Sequence, residues 1–303
     1  MADLMTLQGM LEVAGKRWNK VYLSVGEALE DWIPEVFNYW EPDEDPWIDL
    51  NMRGLGSVVS KGELEKFSRD KLTVLGSKQR QLTYQGLAVG ISLQLWNRDR
   101  QGLISQAIQG LRMASYHGRR YAAADIFDNA FSTGSPGFVT GEALCGTHAS
   151  STTNRLMTGG LFGVNFMSTA LDYFNSEVDG RSLPMSLKPT TLILPGSGSY
   201  QRMAAEILGT AKIPYKPDNT INALLGEGFK VYLDRYLGSS TPAFMLAQHM
   251  PLKENGEGAK GNGTLGHDLN FAHGPVAQMS SWVDPDAMGV VVATYDEWLV
   301  YYQ

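Results

Sequence analysis

The sequence predicts an α+β fold, in which strands and helices mix without a regular βαβ repeat. Residues 82–95 alternate between apolar and polar side chains, which is typical of a strand with one buried face. Apolar side chains then recur at helical spacing from about 99 to about 129, the strongest helix signal in the chain. Later apolar runs are short and are separated by turns rich in Gly and Pro.

Composition limits the classes of protein that fit. The 303 residues are 43% hydrophobic, which is enough to bury a core. A formal net charge of -7 argues against a basic surface that grips nucleic acid. The single cysteine, Cys145, cannot form an internal disulfide, so we expect assembly in a reducing cytoplasm. We expect no secretory signal and no membrane helix, because no stretch approaches the ~20 apolar residues that a membrane helix needs.

Residues 1–80 are predicted to hold little regular structure. Tryptophans are scattered through 1–50, and Pro34, Pro42 and Pro46 would break a long helix. These tryptophans must pack either on a neighbouring subunit or on their own domain, and both readings stay open. Residues 51–81 are predicted to form a long excursion, with a β-hairpin as one possible form, because glycines and a charged run at 61–71 replace apolar periodicity.

The remaining elements follow from local patterns. A loop rich in Gly, Ser and Thr is expected at 132–153, and a Gly-rich loop at 254–266. The strands at 229–233 and 243–246 are predicted to pair around a turn at 238–240. The other expected elements are helices at 160–177 and 200–208 and strands at 190–194, 276–283 and 290–293.

Several short motifs follow one another in a defined order between residues 124 and 246. The long helix ends in A-D-I-F-D-N-A-F at 124–131, and a loop follows that holds G-E-A-L at 141–144, His148 and N-R-L at 154–156. Next come L-K-P-T-T-L-I-L-P at 187–195, a helix through A-A-E-I-L at 204–208, D-N-T-I-N at 218–222, Y-L at 232–233 and F-M-L at 244–246. This order resembles the major capsid proteins of tailed bacteriophages, most closely the Mu-like major head subunits. Two positions depart from that pattern: Thr140 stands where Asp is common, and Phe244 where Trp is usual.

The resemblance implies a division into named parts. Residues 1–50 would be an N-terminal arm, 51–81 an extended loop, and 82–186 a peripheral domain with a long spine helix at about 99–129. Residues 187–272 would be an axial domain, and 273–303 would return to the peripheral domain.

The resemblance also implies a structural role. Pentamers and hexamers would self-assemble into an icosahedral head that encloses double-stranded DNA without reading its sequence. Scaffolding, decoration and portal proteins are possible partners, and the location is the virion capsid, assembled in the host cytoplasm. The same fold permits a nanocompartment shell as an alternative. We expect no enzyme activity, no cofactor, no metal and no membrane partner.

Catalytic alternatives rest on isolated patterns. Cys145 and His148 could form a nucleophile and base, and so a cysteine-dependent hydrolase, but no family signature surrounds them. Gly196-Ser197-Gly198 lies between a strand and a helix, yet Gln201 stands where a dinucleotide fingerprint needs its third glycine. At Gly54-Leu55-Gly56, Lys61 precedes Gly62, the reverse of a phosphate-binding loop.

Two further clusters, one of histidines and one of acidic residues, allow a structural as well as a functional interpretation. His249, His267, Asp268 and His273 match no zinc spacing, so ordinary hydrogen bonding is expected. The acidic cluster Glu41, Asp43, Glu44 and Asp45 is expected to be a solvated surface. Its functional alternative is contact with the charged run 61–71 of a neighbouring subunit.

Overall fold

A computed structural model describes the chain in sixteen stretches. They are residues 2–53, 73–98, 102–132, 143–147, 153–154, 162–176, 187–209, 228–238, 242–247, 250–251, 253–254, 257–258, 264–265, 269–275, 277–284 and 289–302. Within these stretches no helix is long and apolar enough to cross a membrane.

The six described helices range from 4 to 27 residues in length. They are α1 (Ala2–Ala28), α2 (Ile33–Val36), α3 (Leu93–Arg98), α4 (Leu103–Asp128), α5 (Val164–Ser176) and α6 (Gly198–Gly209). The prediction that residues 1–50 are irregular is wrong over α1, because the first proline, Pro34, lies beyond its end and cannot interrupt it. The long helix predicted from about 99 lies at α4, whose bounds are set by Gly102, with φ of 70°, and Asn129.

Strands make up most of the remaining described structure. They are β1 (Asn38–Trp40), β2 (Trp47–Arg53), β3 (Thr73–Arg80), β4 (Thr83–Ser92), β5 (Gly146–Thr147), β6 (Thr153–Asn154), β7 (Pro189–Pro195), β8 (Lys230–Asp234), β9 (Phe244–Ala247), β10 (Met250–Pro251), β11 (Lys253–Glu254), β12 (Glu257–Gly258), β13 (Thr264–Leu265), β14 (Leu269–His273), β15 (Gln278–Asp284) and β16 (Gly289–Tyr302).

The larger sheet is organised around β16. Strand β4 pairs antiparallel with one of its edges, and β15 and then β14 pair with the other. Strand β1 extends the sheet beyond β14 in parallel. Side chains along β16 alternate between two faces, of which one lies against α1 and α4. On the other face Tyr295 is exposed, whereas Leu299 and Tyr301 pack against the residues around Trp40 and Trp47. The predicted strand at 82–95 ends earlier, at Ser92, where the chain turns into α3, and the strand predicted at 290–293 extends to Tyr302.

The smaller sheet has the order β8-β7-β9. Strand β7 pairs in parallel with β8 and antiparallel with β9. The prediction that the segments 229–233 and 243–246 pair with each other is therefore wrong. Each pairs with β7 instead, through backbone hydrogen bonds at opposite edges of that strand. Helix α6 lies between β7 and β8 in the chain, so the smaller sheet contains a parallel crossover, which the sequence prediction did not include.

Helix α4 joins two hydrophobic cores. Its first half contributes Ile104, Ile108 and Leu111 to a core with α1 and β4. Its second half contributes Ile126 and Phe127 to a core that also holds side chains from α2, β9, β14 and β16. A third core packs α5 and α6 against β7. The long helix thus connects the two sheets through buried apolar contacts.

Candidate assembly surfaces

A buried ionic cluster fixes α4 against the larger sheet. Arg119 donates two hydrogen bonds to the Asp296 carboxylate, at 2.6 and 2.5 Å, and a third to the Tyr39 hydroxyl at 2.9 Å. Ser115 donates to the same carboxylate at 2.7 Å. Burial alone would lower the pKa of Arg119, but its bonds to Asp296 and Tyr39 outweigh burial and raise that pKa above its usual value. The register between α4 and β16 is therefore set by directional bonds as well as by packing.

A second buried ion pair joins α4 to the smaller sheet. Arg120 donates to Asp234, the last residue of β8, at 3.0 Å, and the Asp234 carboxylate also accepts from the Tyr236 backbone N–H. The guanidinium lies 4.9 Å from the ring centroid of Trp32 and within 6 Å of those of Tyr116 and Tyr236. This ion pair therefore connects α4, which packs on the larger sheet, to β8 of the smaller sheet.

A third ion pair anchors the base of the β2–β3 hairpin. Arg80 donates to Asp49 at 3.0 Å, and both side chains are almost fully buried. The Arg80 guanidinium stacks 3.9 Å from the Tyr301 ring centroid and donates to the Tyr302 carbonyl oxygen. A hairpin was one form that the sequence allowed for 51–81, and β2 and β3 form its base. Residues 54–72, including Gly54 and Lys61, lie outside the described residues.

The tryptophans of the N-terminal region pack within their own chain. Trp18 is buried and meets Trp96 edge to face, with ring centroids 5.1 Å apart. Trp32 is buried against Phe37, and Trp40 meets Trp47 edge to face. Of the two alternatives that the sequence left open, packing on the same subunit is the one that the structure shows for these side chains.

The described surface exposes several large apolar side chains. Ile48, near the hairpin base, is 69% exposed, and Tyr84 and Leu87, both on β4, are 68% and 51% exposed. Others that exceed a third exposure are Leu23, Leu103, Tyr121, Phe131, Trp282 and Tyr295. Large apolar and aromatic side chains at such positions can supply the apolar contacts of an interface with another chain.

The environment of Cys145 argues against a catalytic thiol. Its side chain packs against the core that holds Phe127, and its backbone N–H donates to the Ala130 carbonyl oxygen at 2.7 Å. Burial raises the pKa of the Cys145 thiol to about 12, so very little thiolate exists near neutral pH. His148, its proposed base, lies outside the described residues.

The segment Gly196-Ser197-Gly198 is a strand-to-helix turn with a packing reason for its first glycine. A Cβ at Gly196 would lie 2.8 Å from Cγ and 2.9 Å from Cα of Arg235. The Gly196 N–H donates to the Asp234 carbonyl oxygen, and the Ser197 carbonyl oxygen accepts the first helical bond, from Gln201. These contacts account for the glycine without a bound phosphate.

The structure describes only some residues of the predicted histidine cluster and all four residues of the acidic cluster. His273 donates from Nδ1 to the Gly274 carbonyl oxygen and stacks on Tyr39, whereas His249, His267 and Asp268 lie outside the described residues. In the described part of the chain no three acidic, His or Cys side chains gather as a metal site, and the absence of a metal stays a prediction. Glu41, Asp43, Glu44 and Asp45 are exposed, and Asp45 accepts from the Leu82 backbone N–H. Their contact with 61–71 of a neighbour stays untested.

The residues that organise the structure were not singled out by sequence patterns. Arg119 and Arg120 lie inside the long apolar period of α4, and adjacent charges there are a signal that buried partners exist. Those partners, Asp296 and Asp234, lie 177 and 114 residues away, and local spacing cannot identify them.

The chain was compared with known protein families, curated protein sequences and solved structures. No protein-family model matches the chain, and no curated protein sequence matches it. Among solved structures, a virus-like particle from Pyrococcus furiosus matches with a TM-score of 0.52 and 9% identity, over 95% of this chain and 94% of that one. The capsid of a native GTA particle matches with a TM-score of 0.50 and 13% identity, over 91% and 87%. The capsid of bacteriophage JBD30, decorated with minor capsid protein trimers, matches with a TM-score of 0.50 and 11% identity, over 69% and 92%.

The chain therefore has the mixed helix and sheet fold of tailed-phage capsid proteins. At identities this low the likeness establishes the fold alone. The α+β class predicted from sequence is confirmed at this level.

Proposed function

We propose that this protein is the major subunit of a closed shell and has no catalytic role. One observation carries the proposal: almost the whole chain matches almost the whole of a virus-like particle subunit. Two features of the chain support it. Ile48 and Leu87 are 69% and 51% exposed, and the β2–β3 hairpin base that carries Ile48 is anchored to its own subunit by a buried ion pair. An exposed apolar side chain that is held in a fixed position suits contact with another chain.

In its specific form, the proposal is a phage head of the Mu-like type. Pentamers and hexamers would form an icosahedral shell around double-stranded DNA, in a virion assembled in the host cytoplasm. The net charge of -7 suits a container that confines DNA without gripping it. Scaffolding, decoration and portal proteins are proposed partners, and one similar capsid is itself decorated with minor capsid protein trimers.

The proposal keeps the domain division expected from sequence. The spine helix becomes α4, the axial domain contains the smaller sheet, and the extended loop is the β2–β3 hairpin with residues between its strands. Because Trp18 and Trp32 pack inward, the arm would offer a neighbour only its outer side, where Leu23 is 50% exposed.

A nanocompartment shell is the second candidate. It is favoured by the same match to a virus-like particle. The two candidates differ in contents: a head protects DNA from nuclease, whereas a nanocompartment encloses a protein cargo.

Electron microscopy and size-exclusion chromatography of the full chain expressed alone test the proposal. Shells, tubes or rings of five or six subunits are expected. Ile48→Asp should abolish these assemblies while leaving the thermal unfolding of the subunit unchanged, and Ile48→Val is the matched control. A monomer that persists at every salt and protein concentration, with or without macromolecular crowding, would contradict the proposal. Nuclease treatment of shells from infected or lysogenic cells then separates the two candidates.

A further inference from the structure

The outer edge of β4 is a strand edge that no described strand covers. β4 pairs with β16 from Thr83 to Ser92 without a shift of register. Within the described part of the chain, no strand pairs with its opposite edge. Such an edge presents a row of backbone donors and acceptors that can bind another strand.

The sequence of β4 lacks the features that normally block an open edge. Its ten residues, T-Y-Q-G-L-A-V-G-I-S, include no charged residue and no proline. The unbroken register shows that no bulge twists it away. Six consecutive positions from Thr83 to Ala88 are exposed. An edge with these properties is a template for pairing unless a partner covers it.

The side chains of β4 complement a second copy of themselves. On the open face of the sheet, the large Tyr84 is followed by the small residues Gly86, Ala88 and Gly90. Antiparallel self-pairing about the centre of the strand would set each Tyr84 beside small residues of the copy, whereas parallel pairing would crowd the two tyrosines. Leu87, on the other face, would be covered by the copy's apolar residues. An uncharged strand also meets itself without like-charge repulsion.

We infer that β4 pairs antiparallel with β4 of a second copy across a two-fold axis at Ala88, so that each Tyr84 lies opposite Ser92 of the copy and diagonal to its Gly90. The two larger sheets then form one continuous sheet across the axis. This inference rests on the proposed function, which supplies copies related by two-fold axes. One strand edge buries less than the ~1,200 Å² of a stable interface, so the contact forms within the assembled shell and draws its strength from many simultaneous contacts.

Disulfide mapping tests the inference directly, because Cys145 is the only native cysteine. In a Cys145→Ala background, single cysteines are placed along β4 and the assembled protein is oxidised. At a rise of ~3.3 Å per residue, Cα atoms at position 88 would lie roughly 5–6 Å from their counterparts, within disulfide reach. Those at position 83 would lie roughly 30 Å apart. Ala88→Cys should therefore give covalent dimers, and Thr83→Cys and Ser92→Cys should not.

A charge swap gives an independent test that does not depend on oxidation. Ala88→Lys alone and Ala88→Asp alone each place like charges across the axis and should reduce assembly at least tenfold. Coexpression of the two variants should restore assembly. Ala88→Ser, which is uncharged, is the matched control.

The outcomes separate this inference from the proposed function. Shells that form but give no cross-link maximum at position 88, and that tolerate either charge, overturn the inference and leave the shell function standing. Failure of the native chain to assemble under any condition overturns the function. Dimer formation from the terminal positions at the rate of the central ones would show that the strands do not pair about this axis.

Discussion

Removing the charge of Asp234 should destabilise the subunit more than any equivalent change on its surface. Asp234 is fully buried and Arg120 is 6% exposed, so Asp234→Asn leaves a buried guanidinium without its carboxylate. Removing one partner of a buried pair costs about 3–5 kcal/mol. Arg120 keeps a bond to the Tyr116 hydroxyl at 3.3 Å and its aromatic neighbours, so we expect a loss of about 3 kcal/mol, the lower end of that range.

Urea unfolding of the unassembled subunit measures this loss through tryptophan fluorescence. The matched control is an exposed ion pair at the same strand: Lys230 of β8 and Glu35 of α2 lie 3.3 Å apart, with side chains 69% and 54% exposed. Glu35→Gln should leave the unfolding midpoint unchanged, because exposed pairs contribute little.

The double variant Arg120→Met, Asp234→Asn should recover more than half of the loss, because no unpaired charge remains buried. Equal destabilisation by Asp234→Asn and Glu35→Gln would refute the view that this ion pair ties α4 to the smaller sheet.

Three further predictions follow from single side chains. Alkylation of Cys145 by iodoacetamide at pH 7.5 should be at least ~100-fold slower in the native protein than in urea, since burial raises the thiol pKa to about 12; equal rates would contradict this burial. Burial lowers the pKa of His273 below its ordinary 6.5, so the unfolded state binds more protons and stability should fall as the pH drops below about 6.5. His273→Gln should flatten the melting temperature between pH 7.5 and 5.5, and an unchanged profile would assign the dependence elsewhere. Gly196→Ala should cost about 1–3 kcal/mol in unfolding free energy by steric overlap with Arg235, whereas Gly198→Ala, with open space around it, should cost nothing.

Local patterns predicted the elements whose signal is contained in a few consecutive turns. The helical spacing of Ile104, Ile108 and Leu111 indicated α4, and all three are buried on one side of that helix. The apolar run before Pro195 indicated β7, which is buried along its length. Helix α1 gives a weaker local signal, because prolines follow it closely and its tryptophans are widely spaced, although Trp18 and Tyr22 lie one helical turn apart and are both buried.

By itself, the sequence determined the fold class, the position of the long helix and the absence of internal disulfides. These properties depend on residue spacing and composition, which are already present in the unfolded chain. Only the tertiary structure decided that β8 and β9 lie on opposite sides of β7, and that Arg119 and Arg120 bind Asp296 and Asp234. The two ion pairs join residues more than a hundred positions apart, and their energies arise only once folding excludes water from both partners.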